Sequence, residues 1–221
     1  MVEMGESAET AQDHSAEDER AAVLADLRGQ LKEARELNDA MRQAELLSEI
    51  ARVLWELRHV KEAVHSALES LRLFKGTGNE LGQARTLCQV GEMLLERGQI
   101  IQPQRLFETS MGIYERAEDE RGQARVLRNM GRVAEAQGDW SGALMKFMKA
   151  LIKHRTLGMR KQQAIDMRHI GLVFCQRGLD EQGLSTLMDA AELQKSLNDQ
   201  HELTETLRLI DQMKAQTDVL N

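Results

Sequence analysis

One proline, Pro103, and seven aromatic side chains are all that the 221 residues contain of either class. No stretch alternates β-branched and polar residues, so a sheet is excluded, and the Ala, Leu, Glu, Arg and Gln that remain favour helix. No apolar run approaches the length of a membrane span, and none follows the first Met as a signal sequence would. Only two cysteines occur, Cys88 and Cys175, on helices two repeats apart. A disulfide needs Cα atoms within roughly 7 Å, so both are expected to stay reduced, which fits a cytoplasmic protein. No basic domain stands out either. Residues 1–20 hold seven acidic side chains against Arg20 alone, a net of −6 out of the chain's −7. The remainder is close to neutral, which speaks against nucleic acid as a partner.

Chemistry is equally sparse. There is no glycine-rich phosphate loop, and Gly76-Thr77-Gly78 reads as a turn between repeats. The six histidines are scattered with no His/Cys pairing at metal-ligand spacing. No base can be named beside Cys88. The expectation is a protein with no catalytic centre, no metal and no cofactor.

What the chain does have is a forty-residue internal repeat. With blocks starting at Ala40, Glu80, Glu120, Arg160 and Gln200, the columns align without gaps. The fifth column reads Ala44, Ala84, Ala124, Ala164, Thr204, and the eighth reads Leu47, Leu87, Leu127, Met167, Leu207. The eleventh reads Ile50, Val90, Met130, Ile170, Ile210, and the twelfth Ala51, Gly91, Gly131, Gly171, Asp211. A fixed period of this size means stacked supersecondary units, each burying its apolar face against its neighbours.

Each full block is expected to hold two helices, A and B, joined at Arg97-Gly98-Gln99, Gln137-Gly138-Asp139 and Arg177-Gly178-Leu179. Glycine there supplies the left-handed residue that ends a helix. The first block has Leu57-Arg58-His59 instead. Helix B carries a small column (Ala63, Pro103, Ala143, Gly183), a large one (Ala67, Phe107, Phe147, Leu187) and a second small one (Ser70, Ser110, Ala150, Ala190). Small residues at column twelve let B approach A closely. Ahead of the blocks, residues 1–18 read as a disordered acidic tail. A lone helix follows from near Glu19, with apolar Val23, Leu27, Leu31 and Ala34. A lone capping helix closes the array over 200–217, with the repeats themselves at 40–79, 80–119, 120–159 and 160–199. About ten helices result.

These columns resemble the tetratricopeptide repeat: Leu127-x-x-Met130-Gly131, then Ala143, Phe147 and Ala150, with Gln137-Gly138-Asp139-Trp140 at the turn. The period exceeds the usual 34 residues, as in the long subtype of Partner-of-Inscuteable-type scaffolds and some bacterial signalling proteins, where Asn129-Met130-Gly131 also has its counterpart. The resemblance implies an all-α, right-handed solenoid of antiparallel helix pairs over 19–217, with A helices lining a concave groove.

Columns six, nine, thirteen and sixteen of helix A then face that groove. Arg121, Arg125, Arg128 and Arg132 form one stripe at i, i+4, i+7, i+11, although like charges at such spacing cost a helix ~0.2–0.5 kcal/mol per pair. Arg85, Arg168 and Arg208 flank it on other A helices, and Asn129, His169 and Leu172 lie beside it. Trp55, Leu95 and Ile165 are further apolar candidates. The stripe reads as a guanidinium ladder for an acidic segment, or as a solvated face partly neutralised by Glu92 and Glu135. The Asn-paired clamp for a partner's C-terminal carboxylate is not present in these columns. The function expected is a scaffold binding a partner peptide or helix, acidic or amphipathic, in the groove. A peptide- or ligand-sensing regulator and a self-assembling module are the alternatives. The acidic tail could itself occupy the groove.

Overall fold

The computed structural model describes the backbone of residues 3–220 and the side chains of 17–215. Ten α-helices and no strand occur among the described residues. They are α1 (Glu3–Glu36), α2 (Ala40–Glu56), α3 (Val60–Gly76), α4 (Glu80–Glu96), α5 (Ile101–Arg116), α6 (Glu120–Ala136), α7 (Trp140–Thr156), α8 (Arg160–Gln176), α9 (Asp180–Ser196) and α10 (Gln200–Leu220).

The turns between them explain the regularity. A left-handed residue recurs every twenty positions: Asn38, Arg58, Gly78, Gly98, Glu118, Gly138, Gly158, Gly178 and Asn198, with φ between 53° and 76°. Around most of these the chain closes a helix in one way. The left-handed residue's N–H bonds the carbonyl three back, and the next N–H bonds the carbonyl five back, as in Gly138 to Glu135 at 2.9 Å and Asp139 to Ala134 at 2.9 Å. The residue that completes this stop also starts the next helix. Asp39, Asn79, Asp119 and Asp139 accept the N–H of Arg42, Gly82, Gly122 and Gly142 through their side chains.

The chain divides into two compact units, Met1–Arg97 and Gly98–Asn221. In the first, α1 lays Leu24, Leu27, Leu31 and Ala34 into the core, and α2 contributes Ala44, Leu47, Ile50, Ala51 and Leu54. Helix α3 returns along α2 with Ala63 and Ala67 fully buried. The buried face of α1 thus uses Leu24 where the spacing suggested Val23, which is 43% exposed. The helix begins at Glu3, whereas the apolar periodicity expects a start near Glu19. Between those residues there is no proline to stop its propagation. The side chains of 1–16, most of the acidic tail, lie outside the described residues.

In the second unit the small columns do what their size suggests. A Cβ built on Gly131 of α6 would sit 2.5 Å from the ring of Phe147 on α7. On α8 and α9 two glycines face each other: a Cβ on Gly171 would lie 3.0 Å from the carbonyl of Gly183, and one on Gly183 would lie 2.8 Å from the carbonyl of Gly171. Ala134, Ala143, Phe147, Ile170 and Val173 fill the seam between these pairs. Leu187, Ala191 and Ile210 carry it on to α10.

Two consequences are measurable by urea unfolding. Gly131→Leu must displace Phe147 and is expected to cost ~1–3 kcal/mol or more; an unchanged midpoint contradicts the close approach. Arg58 and Glu118 hold left-handed conformations that cost an L-residue roughly 1–2 kcal/mol, partly offset by glycine's greater freedom when unfolded. Arg58→Gly and Glu118→Gly are therefore each expected to stabilise by about 0.5–1 kcal/mol, and a loss of stability would show the turns to be unstrained.

Candidate functional site: the faces of the A helices

On α2, α4, α6 and α8 columns five and twelve are buried, which leaves their polar residues on other faces. Within each unit, part of that polar surface ties one A helix to another. In the first unit Trp55 of α2 is half-buried and its indole N–H donates to Glu96 Oε2 of α4 at 2.6 Å. Ser48 Oγ donates to Gln89 Oε1 and Gln89 Nε2 to the carbonyl of Ser48, both at 3.0 Å. Arg85 of α4 is exposed.

In the second unit the arginine stripe of α6 proves to be heterogeneous. Arg121 is exposed, and Arg125 and Arg132 are half-buried. Arg128 is largely withdrawn from solvent. Its guanidinium turns toward α8, donating from Nε to Asp166 Oδ1 and from Nη2 to the carbonyl of Gln162 at 2.7 Å. Only 14% of the Arg128 side chain and none of Asp166 is exposed. The second carboxylate oxygen of Asp166 bonds His154 Nδ1 of α7, which is also buried. A carboxylate only accepts, so that nitrogen carries the proton. Three helices therefore meet at one desolvated Arg–Asp–His cluster.

The other expected site residues are similarly engaged. Asn129 is buried and accepts from Arg132 Nη1 at 3.5 Å. Arg168 of α8 pairs with Glu202 of α10 at 2.7 Å. His169 stacks on Phe147 with ring centroids 4.7 Å apart, and its Nδ1 lies 3.4 Å from Glu135 of α6. Leu172 is half-buried against Leu187 and Ile210. Arg208 of α10 is exposed, 3.3 Å from Glu205 in its own helix. The spacing thus placed these side chains on one face. It did not show that Arg128, Arg168 and His169 reach across to neighbouring helices.

Asp166 and His154 escaped the sequence reading although a signal existed. Asp166 occupies a column that is otherwise Leu46, Thr86, Val126 and Thr206, all buried. His154 occupies a column shared with Phe74, Tyr114 and Gln194. An acid among buried apolar and hydroxyl residues demands a partner. A second missed column is glutamine at position four. Gln43, Gln83, Gln123 and Gln163 donate to the carbonyls of Ala34, Phe74, Tyr114 and His154, at 3.1 to 3.4 Å. Each pins an A helix to the carbonyl that closes the preceding helix.

No cluster of three or more metal-ligating side chains occurs among the described residues. No described helix is long and apolar enough to cross a membrane. Cys88 and Cys175 are buried and not joined in a disulfide. Burial, and then the negative charge of Asp180, push the Cys175 thiol up, which keeps it from acting as a thiolate.

A groove of about 600 Å³ lies in the first unit, lined by α1, α2 and α3. Its rim is closed by Arg28–Glu62 at 3.0 Å and Arg35–Glu69 at 3.1 Å.

Each unit is built as a helical repeat: antiparallel pairs packed side by side, with A-helix faces cross-linked within the unit. Residues 82–151 match the family model of the tetratricopeptide repeat. Solved structures share the fold. BtubC (BKLC) from P. vanneervenii is 15% identical with a TM-score of 0.69, over 83% of this chain and 76% of that one. A Rap protein complexed with Competence and Sporulation Factor is 12% identical with a TM-score of 0.76, over 94% and 63%. The Rap conjugation gene regulator of a plasmid, in complex with the Phr peptide, is 15% identical with a TM-score of 0.74, over 88% and 55%. The chain spans between 55% and 76% of the length of these three. No curated protein matches it in sequence. The tetratricopeptide match falls on α4 to α7.

Removing one member of a buried ion pair strands the other, at about 3–5 kcal/mol. Arg128→Met should therefore destabilise on that scale, whereas Arg121→Met should stay within about 0.5 kcal/mol. Equal and small effects of the two substitutions in chemical denaturation would mean that Arg128 is a surface residue after all.

Proposed function

We propose that the protein is a non-enzymatic interaction scaffold that takes an acidic peptide or helix of a partner protein along its A-helix faces. The observation that carries this reading is charge. Helices α6 and α8 hold seven basic residues (Arg121, Arg125, Arg128, Arg132, Arg160, Lys161 and Arg168) against three acidic ones, Glu120, Glu135 and Asp166. Asp166 is spent internally on Arg128. Lys161 and Arg168 lie 3.5 and 2.7 Å from Asp199 and Glu202, and the other basic residues are guanidinium groups, whose planar fork matches carboxylates. A helix gains nothing intrinsically from such a stripe, since like charges at helical spacing destabilise it. Two solved structures of the same fold carry bound partners, one a peptide. The buried, reduced cysteines fit a reducing compartment such as the cytoplasm.

Arg121 and Arg208 are two exposed cations of this face in the second unit. Affinity capture from the native organism with wild type and with Arg121→Glu/Arg208→Glu, both first shown to unfold alike, tests the reading. Partners captured by the wild type should be lost or weakened about tenfold or more by the charge reversal. Retention of every partner would rule the A-helix face out.

A further inference from the structure

Helix α7 presents an apolar stripe to solvent that the repeat itself does not require. Its inner face buries Ala143, Phe147, Ala150 and His154. Its outer face exposes Met145 (52%), Met148 (49%) and Ile152 (62%), spaced i, i+3, i+7. The neighbouring B helices act as internal controls. Met145 aligns with Arg105 of α5 and Ser185 of α9, and Ile152 with Gly112 and Glu192, whereas Met148 aligns with Glu108 and with Met188, itself 55% exposed. The same architecture therefore stands with polar or absent side chains at the two ends of the stripe, and only α7 joins all three positions. A contiguous apolar stripe that packing does not need is the mark of a contact surface.

Charge selects the occupant. Helix α7 has no acidic residue and carries Lys146, Lys149, Lys153, His154 and Arg155. Lys153 lies 3.5 Å from Glu120 and His154 is in the buried cluster. Lys146, Lys149 and Arg155 make no ion pair among the described residues, and they flank the stripe. We propose that this face of α7 docks an amphipathic helix of a partner protein, with aliphatic residues on one stripe and carboxylates on both shoulders. Seven residues of helix span about 10 Å, so two turns of such a partner set anchors at i, i+3 or i+4, and i+7 against Met145, Met148 and Ile152. An anionic lipid surface fits less well. The B helices on either side expose Glu108 and Glu115 of α5 and Glu181, Asp189 and Glu192 of α9, which a plane would meet and a single rod along α7 would not.

This surface is independent of the A-helix faces, and the test keeps them apart. The probe is a synthetic amphipathic helix with leucines on one stripe and glutamates on its shoulders, labelled for fluorescence anisotropy. Its charge-reversed twin with lysines, and phosphatidylserine-containing vesicles, serve as the other arms. The full chain is compared as wild type, as Met145→Ser/Met148→Ser/Ile152→Ser, as Lys146→Glu/Lys149→Glu, and as Arg121→Glu/Arg208→Glu. The substitutions on α7 are on its exposed face or flank, and matched thermal melts establish that the fold is kept. The acidic helix should bind wild type and the Arg121/Arg208 variant alike. Both α7 variants should weaken it about tenfold or more, a loss of about 1.4 kcal/mol, and added salt should weaken it too. Equal binding of the lysine twin, equal binding to the serine variant, preference for vesicles, or a stripe-dependent dimer in sedimentation would each overturn the proposal.

Discussion

A left-handed residue every twenty positions is the constraint on which the rest of the molecule depends. From Arg58 to Asn198 it stops each of α2 to α9 after four to five turns and returns the chain along it. Helices α2 to α9 are seventeen residues long, with α5 one shorter. Equal lengths keep the columns in phase. One residue more in a helix would turn everything after it by about 100°, and Gly131 would no longer lie under Phe147. The turns hold the register even at Arg58 and Glu118, where the residue type is unfavourable, because the hydrogen bonds that close each helix are made all the same.

Much of this was legible in the chain. The glycine and alanine of column twelve, the large column of the B helices and the turn glycines define hairpins without any coordinates. Less legible was how far a polar side chain reaches. Arg121, Arg125, Arg128 and Arg132 are alike by spacing, yet only Arg128 stands opposite Asp166, thirty-eight residues on in the next repeat. Helical periodicity describes one helix at a time and carries no term for a partner on another. The signal lay in the columns instead, in the acid at Asp166 and the imidazole at His154 where other repeats place apolar or neutral residues. Val23 and Leu24 show the smaller limit. Both fit a helical stripe, and the packing of α1 buries Leu24 and leaves Val23 exposed.

Division of labour among charges connects fold to function. Arg128, Asp166 and His154 are withdrawn from solvent and hold α6, α7 and α8 together. Arg168 and Glu202 do the same for α8 and α10 from a half-buried position. These links fix the helices on which Arg121 and Arg208 remain exposed. Helix α7 takes part in both arrangements. Its inner face supplies His154 and Phe147 to the interior, and its outer face carries lysines beside methionines. A repeat array can offer two unlike surfaces in this way because each helix pair buries only part of each helix.

The account rests on helix register more than on any single contact, and a pair of insertions measures that directly. One alanine inserted within α6 between Arg128 and Asn129 should rotate Gly131 away from Phe147 and abolish or severely weaken the cooperative unfolding of the second unit. One glycine inserted beside Gly138, in the turn, should cost only about 1 kcal/mol, since a loop lengthens cheaply. Equal losses at the two places, or a helix insertion tolerated as well as the turn insertion, would contradict the claim that fixed helix length sets the packing.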